Sequence, residues 1–172
     1  MKKIIYFFIA IIMGVSSFST SALAQVDKMG TPEQVQKMLE DFVASGSPLA
    51  EFVKNLQPTN EEIKAVYKEP LASNLIKMYE KMYSSLDRLK KPADQNDVFI
   101  VFTTTVKLAQ GGEILSKFPG GYGNAREYFS GDFPIVKFEF VKVGETDGFG
   151  FDGLIFVNDR WVLMPKPWRG LD

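Results

Sequence analysis

The chain has 172 residues, of which 45% are hydrophobic, a formal net charge of −1, and neither cysteine nor histidine. Without cysteine it forms no disulfide, thiolate nucleophile or thiol-linked lipid anchor. Without histidine it lacks the most usual general base and the commonest zinc ligand. We therefore expect no metal or cofactor, and the near-neutral charge argues against a nucleic-acid partner, which needs a concentrated basic surface.

The first 24 residues have the three parts of a secretory signal peptide. Lys2 and Lys3 form the positive start, residues 4–15 are almost wholly apolar, and the segment ends in Ala22-Leu23-Ala24. The apolar part is too short to cross a hydrocarbon layer about 30 Å thick comfortably. We predict cleavage after Ala24 and a periplasmic or secreted protein without membrane attachment. An uncleaved anchor is the alternative.

Removal of that segment leaves residues 25–172, enough for a single domain with a buried core. Residues 25–91 show helical periodicity, residues 97–165 show strand patterns, and residues 166–172 form a tail. Helices followed by strands are typical of an α+β domain.

The helical part begins with three short capped segments. Thr31 and Thr59 each begin a capping box, completed by the glutamine or glutamate three residues later. Gly46 ends the first helix, and Ser47-Pro48 begins the short second one.

Pro70 begins the longest helical pattern, which runs to about Lys90 and repeats its apolar residues almost every seven positions. Such a repeat also fits a coiled-coil partner, but a run this short is more typical of a helix lying across a sheet. Met78 and Met82 on this helix are typical of core packing, and methionines also line pockets for varied apolar ligands.

The strand part opens with a β-branched and aromatic run over residues 98–108, with three threonines in its middle. Residues 135–143 alternate, so that Phe138 and Phe140 share one face while Lys137 and Glu139 share the other. Residues 154–157 and 160–164 flank Asn158-Asp159, which predicts a tight hairpin with Phe156 opposite Trp161. The sheet is predicted to be antiparallel.

Two glycine-rich segments carry separate interpretations. Residues 148–153, GFGFDG, match the letters of a dinucleotide-binding fingerprint, but a strand follows where that site needs a helix. We interpret them as a bulged or kinked strand. Residues 118–123, FPGGYG, form either a surface turn or a binding loop that presents Tyr122.

The tail contains two prolines, which deny it ladder hydrogen bonds. We expect Trp168 to pack against the domain while Lys166 and Arg169 stay accessible. Alternatively, these three residues form a cationic and aromatic contact for an anionic ligand or partner protein. Asp132 and Asp152 are candidate bases because they lie beside glycine and aromatic residues, although solvated turn carboxylates are commoner.

The order of these elements, with the hairpin Asn158-Asp159-Arg160-Trp161 and its strand DRWVLMP, resembles the NTF2-like and cystatin-like group over roughly residues 70–165. Members of that group are cones in which a curved sheet wraps a helix and leaves a pocket. The resemblance implies a curved antiparallel sheet packed on a long helix. Some members are isomerases or cyclases that use Asp with His or Tyr, and many are non-catalytic binding domains. The segments FPGGYG and DGLIFVNDRWVLMPKPWR are also similar to those of exported bacterial proteins of unassigned function.

We expect an exported, non-enzymatic binding protein that holds a small apolar or aromatic ligand, or a protein partner, against its sheet. One alternative is an isomerase or cyclase that depends on Asp and Tyr, and another is an inhibitor or immunity-type interaction protein. A buried Asp in a convergent pocket would favour the enzyme, and an exposed aromatic patch would favour the interaction protein. No catalytic or metal-binding residue is assigned, and a dimer is compatible with the sequence. The candidate binding residues are Tyr122, Asp152, Trp161, Lys166, Trp168 and Arg169.

Overall fold

The computed structural model describes residues 30–172, so the predicted signal peptide and its cleavage site after Ala24 lie outside the described residues. The described chain is an α+β domain with one four-stranded antiparallel sheet, as the sequence predicts. No helix within residues 30–172 combines the length and the apolar character needed to span a membrane.

The elements follow one another in an order that departs from helices first and strands second. Three short helices lie between the first and second strands, inside the sheet part predicted for residues 97–165. The helices are α1 (Pro32–Ser45), α2 (Leu49–Asn55), α3 (Asn60–Val66), α4 (Leu71–Tyr83), α5 (Thr105–Gln110), α6 (Glu113–Ser116) and α7 (Tyr122–Ala125). The strands are β1 (Asp97–Thr104), β2 (Pro134–Val141), β3 (Phe149–Val157) and β4 (Arg160–Leu163), and the chain closes with a 3-10 helix, Pro167–Gly170.

The predicted helix starts are confirmed. The side chains of Thr31 and Thr59 each accept a hydrogen bond from the backbone three residues later, and both capping boxes are complete. Gly46 ends α1 in the left-handed conformation, with φ of 65°, where a residue without a Cβ is favoured.

Two predicted element ends are wrong. Helix α4 ends at Tyr83 rather than near Lys90, because the Ser84 hydroxyl donates to Lys81 O and competes with helix continuation. Strand β1 ends at Thr104 rather than at residue 108. The Thr104 side chain caps α5 by accepting from Lys107 N, and the Thr105 hydroxyl bonds Gly131 O at 2.6 Å.

The strands lie in the order β1-β2-β3-β4, each antiparallel to its neighbour. Asn158 and Asp159 both have positive φ and connect β3 to β4. Phe156 pairs with Trp161 as predicted, with ring centroids 5.3 Å apart. At the end of β4, Leu163 N donates to Leu56 O, which ties the edge of the sheet to the end of α2.

The two faces of the sheet differ in their chemistry. Phe138 and Phe140 are fully buried on one face, where the Phe42 ring of α1 lies 5.4 Å from Phe140. Lys137 and Glu139 lie on the opposite face and form a 2.8 Å ion pair. Helices α1 and α2 cover the aromatic face, which is therefore the interior of the domain on that side.

Candidate functional site

Asp152 occupies a β-bulge in β3. Val136 pairs with Leu154 and Phe138 with Phe151, so Asp152 and Gly153 together face the single residue Lys137. Gly153 has φ of 74°, which a glycine adopts without strain. The bulge confirms the structural interpretation of the GFGFDG segment, and it turns Asp152 to the face of the sheet that carries Lys137.

The Asp152 carboxylate is buried and hydrogen-bonded. Its residue is 5% exposed, and its Oδ1 accepts from Tyr122 Oη at 3.0 Å and from Lys166 N at 2.8 Å. Burial raises the pKa of Asp152 above its ordinary value, while those two bonds and the charges of Lys166 and Lys137 act in the opposite direction.

Tyrosine hydroxyls surround the same segment of chain. Tyr79 Oη donates to Pro165 O at 3.1 Å, and Tyr83 Oη donates to Leu163 O at 2.6 Å. Burial raises the pKa of Tyr79 and of Tyr122 far above the ordinary value, and the nearby Asp152 charge raises both further. Each hydroxyl therefore stays neutral and acts as a hydrogen-bond donor.

Together these hydrogen bonds hold the tail against the domain. Side chains from α4, α7 and β3 hold residues 163–166, which comprise the end of β4 and the segment that follows it. Because the prolines keep this segment out of the sheet, its buried backbone groups need other hydrogen-bond partners, and these side chains supply them. Asp152 Oδ1 is thus engaged in fixing the tail.

Tyr67 is the exception among the buried tyrosines. Its hydroxyl is the one buried side-chain polar atom within residues 30–172 that has no hydrogen-bond partner. The ring is 1% exposed and stacks on Phe129 at a centroid distance of 5.4 Å. Burial raises the pKa of Tyr67 well above its ordinary value, with a smaller contribution from Asp152.

An apolar cavity of about 340 Å³ lies on the aromatic face of the sheet, between α2, the end of α4 and the segment that follows it. Phe151 forms part of its wall and stacks on Phe138 at 5.2 Å. The volume of this cavity falls within the range of small-molecule sites. We call it the apolar cavity; it is lined by Val53, Met82, Ser85, Leu86, Arg88, Leu89, Phe151, Leu163 and Pro165.

Four of the predicted site residues come together, although around the tail and not around the cavity. Tyr122, Asp152 and the Lys166 backbone form the hydrogen-bonded cluster, and the Trp168 ring packs edge-on to Tyr122 with centroids 5.4 Å apart. Tyr122 is fully buried, so the glycine-rich loop does not present its ring at the surface. The Tyr122 ring is buried because it lies between the rings of Trp168 and Phe118, and the centroids of the Tyr122 and Phe118 rings are 5.3 Å apart.

The other predicted residues lie apart. Trp161 is half-buried in the β3–β4 hairpin against Phe156, and Arg169 and the Lys166 side chain are exposed. Asp132 is also exposed. Trp168 packs against the domain while its two basic neighbours stay accessible, as expected for the tail.

The sequence indicates only one wall of the cavity. Met82 lies on the predicted helix, but the helical pattern to Lys90 also includes Leu86, Arg88 and Leu89, which the structure places in the irregular segment after α4 that closes the cavity. The signal that could have found them is Ser84-Ser85, a pair that favours helix ends.

No group of three or more acidic, histidine or cysteine side chains suited to a metal ion occurs in the part of the chain that the structure describes. No family model, curated protein or solved structure matches this chain.

Proposed function

We propose that this chain is an exported, non-enzymatic binding protein whose apolar cavity holds a small apolar or aromatic ligand. The observation that carries the proposal is the cavity itself: seven of its nine lining residues are apolar, and Ser85 and Arg88 are the polar ones. A mostly apolar wall with a few polar groups is the usual composition of a small-molecule site.

The flexible character of the wall also supports this function. Met82, Leu86 and Leu89 are each half-buried, so their side chains keep contact with the core while facing open space. The unbranched methionine side chain adapts its rotamers to ligands of different shape. The position of the cavity between a helix and the sheet agrees with the cone-like NTF2-like or cystatin-like arrangement, which stays part of the proposal.

A catalytic role for Asp152 is the weaker alternative. An isomerase or cyclase would need the carboxylate in contact with the ligand. Phe151 lines the apolar cavity, whereas Asp152 lies on the opposite face with Oδ1 committed to Tyr122 and Lys166. The same geometry favours ligand binding over an inhibitor-type function of the tail, because Trp168 is packed into the domain.

The test is binding of N-phenyl-1-naphthylamine, an uncharged aromatic probe whose fluorescence rises in apolar surroundings. Met82→Trp places a larger side chain in the cavity, and it should abolish binding. Met78→Trp, one helical turn earlier on α4, is the matched control and should bind like the wild type, because Met78 is also half-buried but does not line the cavity.

Circular dichroism confirms that both variants are folded. Absence of probe binding by the wild-type protein, or equal binding by both variants, would contradict the proposal.

A further inference from the structure

Arg88 is the single charged residue among those that line the apolar cavity. It is exposed, and within residues 30–172 its guanidinium makes no hydrogen bond or ion pair. A guanidinium with five donors and no protein partner is suited to a planar or tetrahedral anion.

Ser85 supplies a second polar group on the same wall. It precedes Arg88 by three positions, and its hydroxyl forms no hydrogen bond with the described residues. The hydroxyl and the guanidinium thus give an otherwise apolar wall two groups that can donate hydrogen bonds to an anion.

The acidic neighbour of Arg88 lies elsewhere. Asp87 lines a neighbouring cavity, bounded also by Phe42, Lys90 and Lys91, and Leu89 forms the partition between the two spaces. The apolar cavity thus has positive charge on its wall and no carboxylate to compensate it.

Given the proposed function, we infer that the ligand is an anionic amphiphile: an apolar or aromatic body that fills the cavity and a carboxylate, sulfonate or phosphate group held by Arg88 and Ser85. The apolar body supplies most of the affinity through its burial. The charged group fixes the orientation of the ligand in the cavity and makes the protein bind it more tightly than an uncharged molecule of the same shape.

The experiment compares two probes that share one ring skeleton. 1-Anilinonaphthalene-8-sulfonate carries the anion and N-phenyl-1-naphthylamine does not. We expect the wild-type protein to bind the sulfonate probe on the order of tenfold more tightly, the effect of one charge-assisted contact at a partly exposed site. The preference should shrink as salt is added.

Arg88→Gln should remove this preference by weakening the binding of the sulfonate probe on the order of tenfold, with a smaller effect on the uncharged probe. Lys90→Gln is the control, because it alters the net charge equally and lies on the neighbouring cavity. Equal binding of both probes by the wild type, or equal weakening by the two variants, would overturn the inference while leaving the proposed function intact. Failure of both probes to bind would contradict the proposed function itself.

Discussion

Tyr67 and Tyr83 are two buried tyrosines that differ in one respect, since only the Tyr83 hydroxyl has a partner. Tyr83→Phe should lower the free energy of unfolding by about 1 kcal/mol, the net value of a typical hydrogen bond. Tyr67→Phe removes an unpaired hydroxyl and should leave stability unchanged or raise it by up to about 1 kcal/mol. Urea unfolding measures both. A loss at Tyr67 as large as that at Tyr83 would show that its hydroxyl bonds a buried group such as water.

Asp152 makes stability depend on pH in a direction unusual for a carboxyl. Because its pKa is raised in the folded state, the folded protein holds the proton more tightly than the unfolded chain does. The contribution of Asp152 to the free energy of unfolding should therefore fall as the pH rises from about 3.8, the ordinary value, through the raised one.

Asp152→Asn keeps an oxygen acceptor and removes the titration. Its stability relative to the wild type should increase across that pH interval in urea unfolding series. Asp152→Ala should instead cost about 1–3 kcal/mol at low pH, because it leaves Tyr122 Oη and Lys166 N without an acceptor. That cost should shrink as the pH rises, since the wild type loses the Asp152 contribution over the same interval. A difference between Asn and wild type that does not change with pH would contradict a raised pKa.

At the scale of elements, the short 3-10 helix that contains Trp168 is held by side chains. Trp168 packs on Tyr122 and directly over Gly121, where a Cβ would collide with the indole ring. Asn74 Nδ2 of α4 donates to Gly170 O at 2.8 Å. The tail is therefore part of the fold rather than a free appendage.

Trp168→Ala should lower the free energy of unfolding by about 2–3 kcal/mol, less than for a fully buried Trp because the ring is half-exposed. The double variant Lys166→Ala/Arg169→Ala should stay within about 0.5 kcal/mol of the wild type, since both side chains are exposed. Thermal or urea unfolding checks both. If Trp168→Ala were as stable as the wild type, the tail would contribute no packing energy.

Features set by neighbouring residues could be predicted from the sequence. The capping boxes at Thr31 and Thr59, the Gly46 helix end and the Asn158-Asp159 hairpin depend on a few adjacent positions. The contact between Tyr122 and Asp152 joins residues 30 positions apart, and nothing in either local sequence specifies it. The cavity also depends on residues far apart in the sequence, since it forms only where α2, β3 and the segment after α4 meet. For that reason the sequence does not predict it.

At the scale of the whole molecule, the signal-peptide pattern of the first 24 residues predicts where the N-terminus of the mature protein lies. We expect cleavage after Ala24, so that Gln25 becomes the first residue. Intact-mass measurement of the protein from the exported fraction checks this. A mass that still includes residues 1–24 would mean a protein anchored by that segment.

The bonds between α4 and the tail bear on how the folded domain opens locally. Tyr79 and Asn74 donate to Pro165 O and Gly170 O, which lie 86 and 96 positions away along the chain. If residues 165–170 detach, α4 loses both acceptors, and Leu71 and Leu75, which contact Gly170, lose part of their cover. We therefore expect α4 and the tail to open as one cooperative unit, with amide hydrogens that exchange at a common rate.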